Sequence, residues 1–447
     1  MMKSIQVDAN SAIRFRSRAV AKLFHLLVLL ILGPASTAIA QAIPAAEASP
    51  ISTGFALPLT AGTLQYAVSA SESLVWGYYG GSNTGASTNL IGDVAYISSS
   101  NRNPFSMVLA AGYSFATSNQ PSYSFANLGL SQVMNVGRWN MVLSDNVSYL
   151  PGTPTTGLSG IPGVGDLGIN PIQVGVNTGQ GVLSLYSNRV SNTASGSIQR
   201  HLTGKTSVNG SGYYGLIHFL DNTASALGLD NTSVGGGGGI SHEFSQRTSM
   251  GGNYTYSSFD FGALFPGFSS QTVSLSYTRR YNRKLTLSGA AGPQWTTVQI
   301  PGSKASLSLF VDASATYAGH YSNSVLSYVR STNSGYGVVG GTLSDSITLS
   351  TSRIFARVWN GALMSAFSRS ASLPGQNLNQ FTFHTYVAGG QLSRALARSL
   401  SVYGSFTFQD QSSSSNVGST LNAFNGRSEI LGFGITYSPM SKHFGRP

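Results

Sequence analysis

Alternation of side-chain character constrains this chain more than any other feature. From Thr272 to Tyr317 apolar and small polar residues change places at nearly every step. Thr272-Val-Ser-Leu-Ser-Tyr-Thr278 does so without a slip, and after Arg279-Arg-Tyr-Asn-Arg283 the pattern resumes. Leu285, Leu287, Gly289, Ala291 and Trp295 then share one face, with Thr286, Ser288, Gly292 and Gln294 on the other. A loop holding Pro301-Gly302 follows, and Ser306-Leu-Ser-Leu309 starts the pattern again. A period of two marks a strand with two unlike faces, because successive Cβ atoms of a strand point to opposite sides. The polar face is serine and threonine almost without charge. Each segment is ~10 residues or longer, the span of a tilted strand across a bilayer.

Composition agrees with many such strands rather than with two or three soluble domains. Only 9% of the 447 residues are charged, against ~25% in soluble globular chains. There are 53 glycines, well above the usual ~7%. A barrel strand puts only half its residues into lipid, so a 41% apolar fraction with no long apolar run after residue 32 suffices.

Residues 1–40 read as a signal peptide for export. Lys3, Arg14, Arg16, Arg18 and Lys22 form a basic region, Leu23 to Leu32 an apolar one, and Ala38-Ile39-Ala40 a small-x-small cleavage site. The apolar run is half the ~20 residues a spanning helix needs. No cysteine is present, which excludes a disulfide framework and thiolate chemistry in an oxidising compartment. Removing residues 1–40 takes away five basic residues and Asp8, leaving a net charge of +7. That excess either biases a pore toward anions or sits at the membrane rims.

Residues 41–62 are Ala- and Pro-rich without alternation and read as a periplasmic lead-in, with the barrel at 63–440 and a C-terminal tail at 441–447. Along the barrel, short breakers lie near Asn101-Arg-Asn-Pro104, Asn135-Val-Gly-Arg138, His201-Leu-Thr-Gly204, Ser245-Gln-Arg247, Tyr281-Asn-Arg283, Ala318-Gly-His320, Ser352-Arg353 and Arg394-Ala-Leu-Ala397. Longer ones lie near 80–88, 117–122, 151–181, 220–230, 261–267, 299–304, 334–338, 370–380 and 412–426. The two kinds alternate, as tight periplasmic turns and longer extracellular loops do. The fold class is therefore all-β: a single transmembrane antiparallel up-and-down β-barrel of about 18 strands, with 16 as the alternative count. Trp139, Tyr277, Tyr281, Tyr317 and Tyr321 flank short turns, and Tyr78, Tyr79, Tyr149, Tyr213, Tyr214 and Trp295 lie nearer the long loops. Two interfacial girdles would use such rings.

On this pattern, from about 63 to 438, the chain resembles a bacterial outer-membrane β-barrel of the porin type. Leu431-Gly-Phe-Gly-Ile-Thr-Tyr437 is similar to the C-terminal assembly signal of such proteins, with Gly432, Ile435 and Tyr437 at its glycine and apolar positions. Leu431 departs from it where a polar residue is usual, and Ser438 to Pro447 extend past the final aromatic. The resemblance implies a bacterial outer-membrane location, contact with outer-membrane lipid and with the barrel-assembly machinery, and small hydrophilic solutes as cargo. It also implies that the loop 151–181, rich in Gly and Pro (Pro154, Pro162) and carrying Asp166 as its one charge, folds inward as a constriction. An outward loop is the alternative, and the oligomeric state stays open.

Charges inside strands are the pore-lining candidates, since a charge facing lipid at mid-membrane costs ~2–4 kcal/mol. They are Asp93, Asp145, Arg189, Asp312, Arg330 and Arg357. Asp312 lies in register with Ser306, Ser308, Ser314 and Thr316, whereas Arg357 lies in register with Phe355 and Trp359. Structural pairing across the barrel is the alternative role for the set. No histidine pair has metal-ligand spacing, and the Gly235 to Gly239 run lacks the Lys-Ser/Thr of a phosphate loop. It reads as a strand bending closely past a neighbour. No catalytic residue, cofactor, metal or nucleic-acid motif is expected. The function expected is porin-like passive diffusion. The alternatives are the barrel of a polysaccharide (exopolysaccharide or capsule) export system and a plugged structural barrel.

Overall fold

The computed structural model describes residues 62–78, 81–98, 100, 103–117, 122–151, 188–220, 230–261, 265–334, 341–356, 358–374, 382–413, 426–439 and 442–444. Residues 1–40, read as a signal peptide, residues 41–61 of the segment read as a lead-in, Pro154, Pro162, Asp166 and Arg357 lie outside them.

Eighteen long strands follow one another: β1 (Gly62–Tyr78), β2 (Gly81–Ser98), β3 (Phe105–Thr117), β4 (Tyr123–Val136), β5 (Trp139–Pro151), β6 (Asn188–His201), β7 (Thr206–Phe219), β8 (Asn231–Ser245), β9 (Thr248–Phe261), β10 (Phe268–Arg280), β11 (Leu285–Val298), β12 (Ser306–Ala318), β13 (Ser322–Asn333), β14 (Thr342–Phe355), β15 (Trp359–Ser372), β16 (Thr382–Ala395), β17 (Leu400–Ser413) and β18 (Gly426–Tyr437). Each pairs antiparallel with its sequence neighbours, and β1 pairs with both β2 and β18, so the sheet closes into a ring. Closure gives every long strand a partner on both sides over most of its length, which is what a strand in lipid requires of its backbone N–H and C=O groups. A short β19 (Lys442–Phe444) continues beside Gly62–Leu64 past the end of β18.

The two faces sort as the alternation demands. On β10, Ser270, Thr272 and Ser274 are buried inside the ring while Val273 and Leu275 stand outside. Leu307 and Leu309 of β12, and Ile347 and Leu349 of β14, are likewise outward and exposed, which places an apolar surface where lipid tails would lie. Inside, serines face one another across the ladders: Ser144 and Ser195 hydroxyls are 2.6 Å apart, Ser207 and Ser241 2.8 Å, Ser288 and Ser314 2.6 Å.

The short-turn end carries an aromatic belt with arginines laid on it. Arg200 lies 4.9 Å from the centroid of Trp139, Arg279 4.8 Å from Tyr281, and Arg394 5.2 Å from Trp359. A cation on an aromatic face at this level keeps its head in the headgroup layer and its stem on apolar surface.

Two local details differ from the sequence reading. Ser352-Arg353 are in strand and pair with Asn323 and Ser322, and β14 ends only at Phe355, before a bend that includes Ala356. Ser352-Arg353 is polar enough to resemble a turn, but Ile354 and Phe355 carry the alternation past it. Ala356, with φ 51°, makes the bend. The first long breaker, 80–88, is mostly strand, since β2 begins at Gly81. The Gly235–Gly239 run does bend close to its neighbour. A Cβ at Gly237 would stand 2.5 Å from the Tyr254 carbonyl oxygen, so β8 and β9 approach there only because glycine has no side chain.

Candidate functional site

The interior of the ring is the candidate site, and it has two unlike walls. On β14 to β18 and β1 to β3 many inward side chains toward the long-loop end have almost no solvent contact, while Gln391, Ser401, Ser405 and Thr436 toward the short turns are half-buried. Ser368, Ser370, Thr385 and Thr342 are at 0%, and Ser69, Ser73, Asn89, Gln409 and Gln411 are equally enclosed. An apolar patch is set into this wall, formed by Ala362, Met364, Ala366 and Val387. On β5 to β9 the inward groups are of the same kinds but open. Asn146, Thr193, Ser197, Asn209, Ser211 and Thr255 are exposed.

The pore-lining candidates divide by register. Asp93 faces inward with Asn89 and Ile91 and is buried. Arg189 faces inward at the long-loop end, its guanidinium 5.9 Å from the Phe219 ring centroid. Asp312 faces inward with Ser308 and Ser314 and is exposed to the lumen. Asp93, Arg189 and Asp312 thus face the interior of the ring from β2, β6 and β12, the first two of them buried.

Two candidates point the other way and are corrected here. Asp145 has the outward register of Leu143 and Val147, and Asn192 Nδ2 donates to its Oδ1 at 2.7 Å. Arg330 has the outward register of Leu326 and Tyr328. Its Nη1 donates to Asp345 at 2.9 and 3.2 Å, and the Tyr328 hydroxyl donates to the same carboxylate at 2.8 Å. The rule that charge avoids lipid holds only at membrane depth. Arg330 and Asp345 lie three residues from the long-loop ends of their strands, where the cost of an outward charge is ~0–1 kcal/mol. Asp145 is six residues from both ends of β5 and has the Asn192 amide in place of water.

Outward charges at the long-loop rim extend across several strands, a feature the sequence reading missed. Asp345 sits opposite Arg369, Asp410 opposite Arg427, and Arg427 pairs with Glu429 while lying 4.8 Å from the Phe408 ring. Strand-to-strand opposition of unlike charges is visible only once the register is known. Among the described residues, no group of three or more His, Asp or Glu side chains converges as a metal site.

No protein-family model matches the chain, and no curated protein matches it. Solved structures do. Pseudomonas aeruginosa OpdQ is 10% identical, with 84% of this chain and 98% of that one covered at a TM-score of 0.41. OccK2 (OpdF) of the same organism is 11% identical, with 84% and 98% covered at 0.42. The ferric-catecholate import receptor Fiu from E. coli is 10% identical, with 83% and 81% covered at 0.38.

Proposed function

We propose that this chain is a passive channel of the bacterial outer membrane, through which small hydrophilic solutes diffuse. One observation carries the reading: a closed ring of 18 strands with leucine, isoleucine and valine outside and hydroxyl and amide groups inside. Rings of 16–18 strands enclose an aqueous lumen. Only a membrane gives an apolar exterior of this extent a solvent, and among membranes barrels of this kind belong to the outer one.

The passage in this reading is eccentric. It follows the open wall of β5 to β9 and the middle of β12, where Asp312, Thr193, Asn209 and Ser211 meet solvent. The wall from β14 round to β3 contributes little surface to it. A constriction by the 151–181 loop, bearing Pro154, Pro162 and Asp166, fits a lumen filled on one side. So does a barrel plugged for a structural role, and the buried Met364–Val387 patch favours that second reading. A hydroxyl-lined passage would also suit a polysaccharide chain, with periplasmic partners to drive it.

Conductance of the purified, folded protein in planar bilayers separates these readings. Defined open-channel steps at low voltage are expected of a diffusion channel. Their complete absence, in protein whose gel mobility is heat-modifiable, would refute it and leave the plugged barrel.

A further inference from the structure

The ring is not sealed equally all round. The β12–β13 ladder runs from Ala318↔Asn323 up to Val311↔Arg330 and stops. Above that point Ser306–Phe310 of β12 continue to pair with β11, and Ser331–Asn333 of β13 continue to pair with β14. Phe310, Leu309 and Ser308 therefore have no ladder to Ser331, Thr332 and Asn333, although all six residues are described. A seam runs from Val311 and Arg330 to the long-loop rim.

Two further contacts show how the seam is held. The Thr332 hydroxyl donates to Gln294 Oε1 at 3.2 Å and lies 3.2 Å from the Thr296 hydroxyl. Gln294 and Thr296 are inward residues of β11, two strands away from β13. Thr332 has the outward register of Leu326 and Tyr328, so it reaches them only if the top of β13 passes on the lumen side of β12. Independently, Leu373, just after β15, and Leu343 of β14 pack with Phe268 and Val298, inward residues of β10 and β11. The upper ends of β13 to β15 thus tuck inside the upper ends of β10 to β12, and the wall overlaps itself.

The lips of the overlap differ in chemistry. Leu307 and Leu309 present an apolar outer lip, 68% and 54% exposed. Behind it lie Ser306, Ser308, Gln294, Thr296 and Thr332, all hydroxyls and one amide. At the closed base sits Arg330, whose Nη1 is paired with Asp345 and whose Nε is buried without an acceptor among the described residues.

We propose that this overlap is a lateral portal between the lumen and the outer leaflet, taking a single-chain amphiphile with a polar head that hydroxyls and an amide can bond. The proposal rests on the channel reading above. The chain of the amphiphile lies along Leu307 and Leu309, and its head passes over the hydroxyl lip toward Arg330. Opening requires only that β13 to β15 swing outward, releasing the Thr332 contacts and the Phe268–Val298–Leu373 cluster. No ladder hydrogen bond breaks, because none spans the seam above Val311.

The test is a reversible lock. Thr296→Cys with Thr332→Cys, in a chain without other cysteines, places two thiols where two hydroxyls are 3.2 Å apart, close enough for a disulfide. A pair that stays reduced under oxidant in folded protein would overturn the overlap itself. Vesicles containing trapped albumin then receive fluorescent lysophosphatidylglycerol from outside, and its arrival on the albumin is timed before and after oxidation of one preparation. Thr296→Cys alone controls for the oxidant. Oxidation is expected to bring transfer down to the protein-free level, with recovery on reduction and with bilayer conductance steps unchanged. Transfer that the disulfide does not affect, or that never exceeds protein-free vesicles, would overturn the portal. Seam-dependent transfer without conductance steps would support the portal and sink passive diffusion instead.

Discussion

Two halves of one lumen, built from the same residue types, have opposite relations to water. Around β14 to β18 and β1 to β3, serine, threonine and glutamine are packed away from solvent. Around the middle of β5 to β9, Asn146, Thr193, Ser197, Asn209, Ser211 and Thr255 are open to it, although Ser148, Arg189, Ser207 and Asn231 nearer the strand ends are buried. A buried hydroxyl costs free energy unless it is bonded; Thr385 reaches Gln411 and Asn89 reaches Ser73 across β1–β2, whereas Ser69 Oγ and Gln409 Nε2 have no partner among the described residues. A polar inward face is therefore not equivalent to a wet one. Solute has room along one side of the ring, and stability is concentrated on the other.

Charge insertion should break that equivalence most strongly. Ser368→Arg places a guanidinium at a position with no solvent contact, which costs several kcal/mol when the charge is unpaired. Loss of the heat-modifiable folded form on gels is expected. Ser211→Arg, on the open wall, should fold with stability unchanged within about 0.5 kcal/mol. Equal behaviour of the two variants would erase the distinction between the walls.

A smaller effect sharpens the outer side of the open half. Asp145 faces outward at mid-strand with Asn192 as its partner. Asp145→Leu removes a carboxylate from lipid and should raise the urea midpoint by the equivalent of about 1 kcal/mol. A fall in the midpoint would mean that the pair is covered by something other than lipid.

The smallest effect lies at the boundary between the halves. Arg330 and Asp345 are about one-third exposed, so a double-mutant cycle with Arg330→Ala and Asp345→Ala should give a coupling of ~0.5–1 kcal/mol in urea unfolding. Coupling near zero would show that the pair does not hold the base of the β12–β13 seam.

Much of the architecture was legible in the chain because alternation and turn chemistry are local. β10 occupies 268–280 as read, and most other strands match within three residues. The exceptions were places where a local cue misled. Ser352-Arg353 carried the polarity of a turn inside a strand, and residues 81–88 had too few apolar side chains to announce one. Site residues were less legible for a different reason. Asp145 shares register with Leu143 and Val147, and Arg330 with Leu326 and Tyr328, so their outward direction was present in the sequence. It lost to the expectation that charge avoids lipid, which at Arg330 ignores strand ends that project beyond the ~9–11 residues a crossing uses and at mid-strand Asp145 ignores the Asn192 amide that bonds the carboxylate. The dry and wet walls could not be told apart, because solvent access depends on what lies across the lumen. The seam between β12 and β13 went unread, although the alternation breaks on both sides of it, at Phe310-Val311 and at Arg330-Ser-Thr-Asn333.

Thiol accessibility during conductance recording tests the division of the lumen most directly. Single cysteines at Ser211 and Thr193 on one wall, and at Ser368 and Thr385 on the other, would be exposed to a small charged thiosulfonate while current is measured. Rapid modification with a step change in current is expected at Ser211 and Thr193, and none at Ser368 and Thr385. Modification at all four sites at similar rates would contradict a lumen that conducts along one wall only.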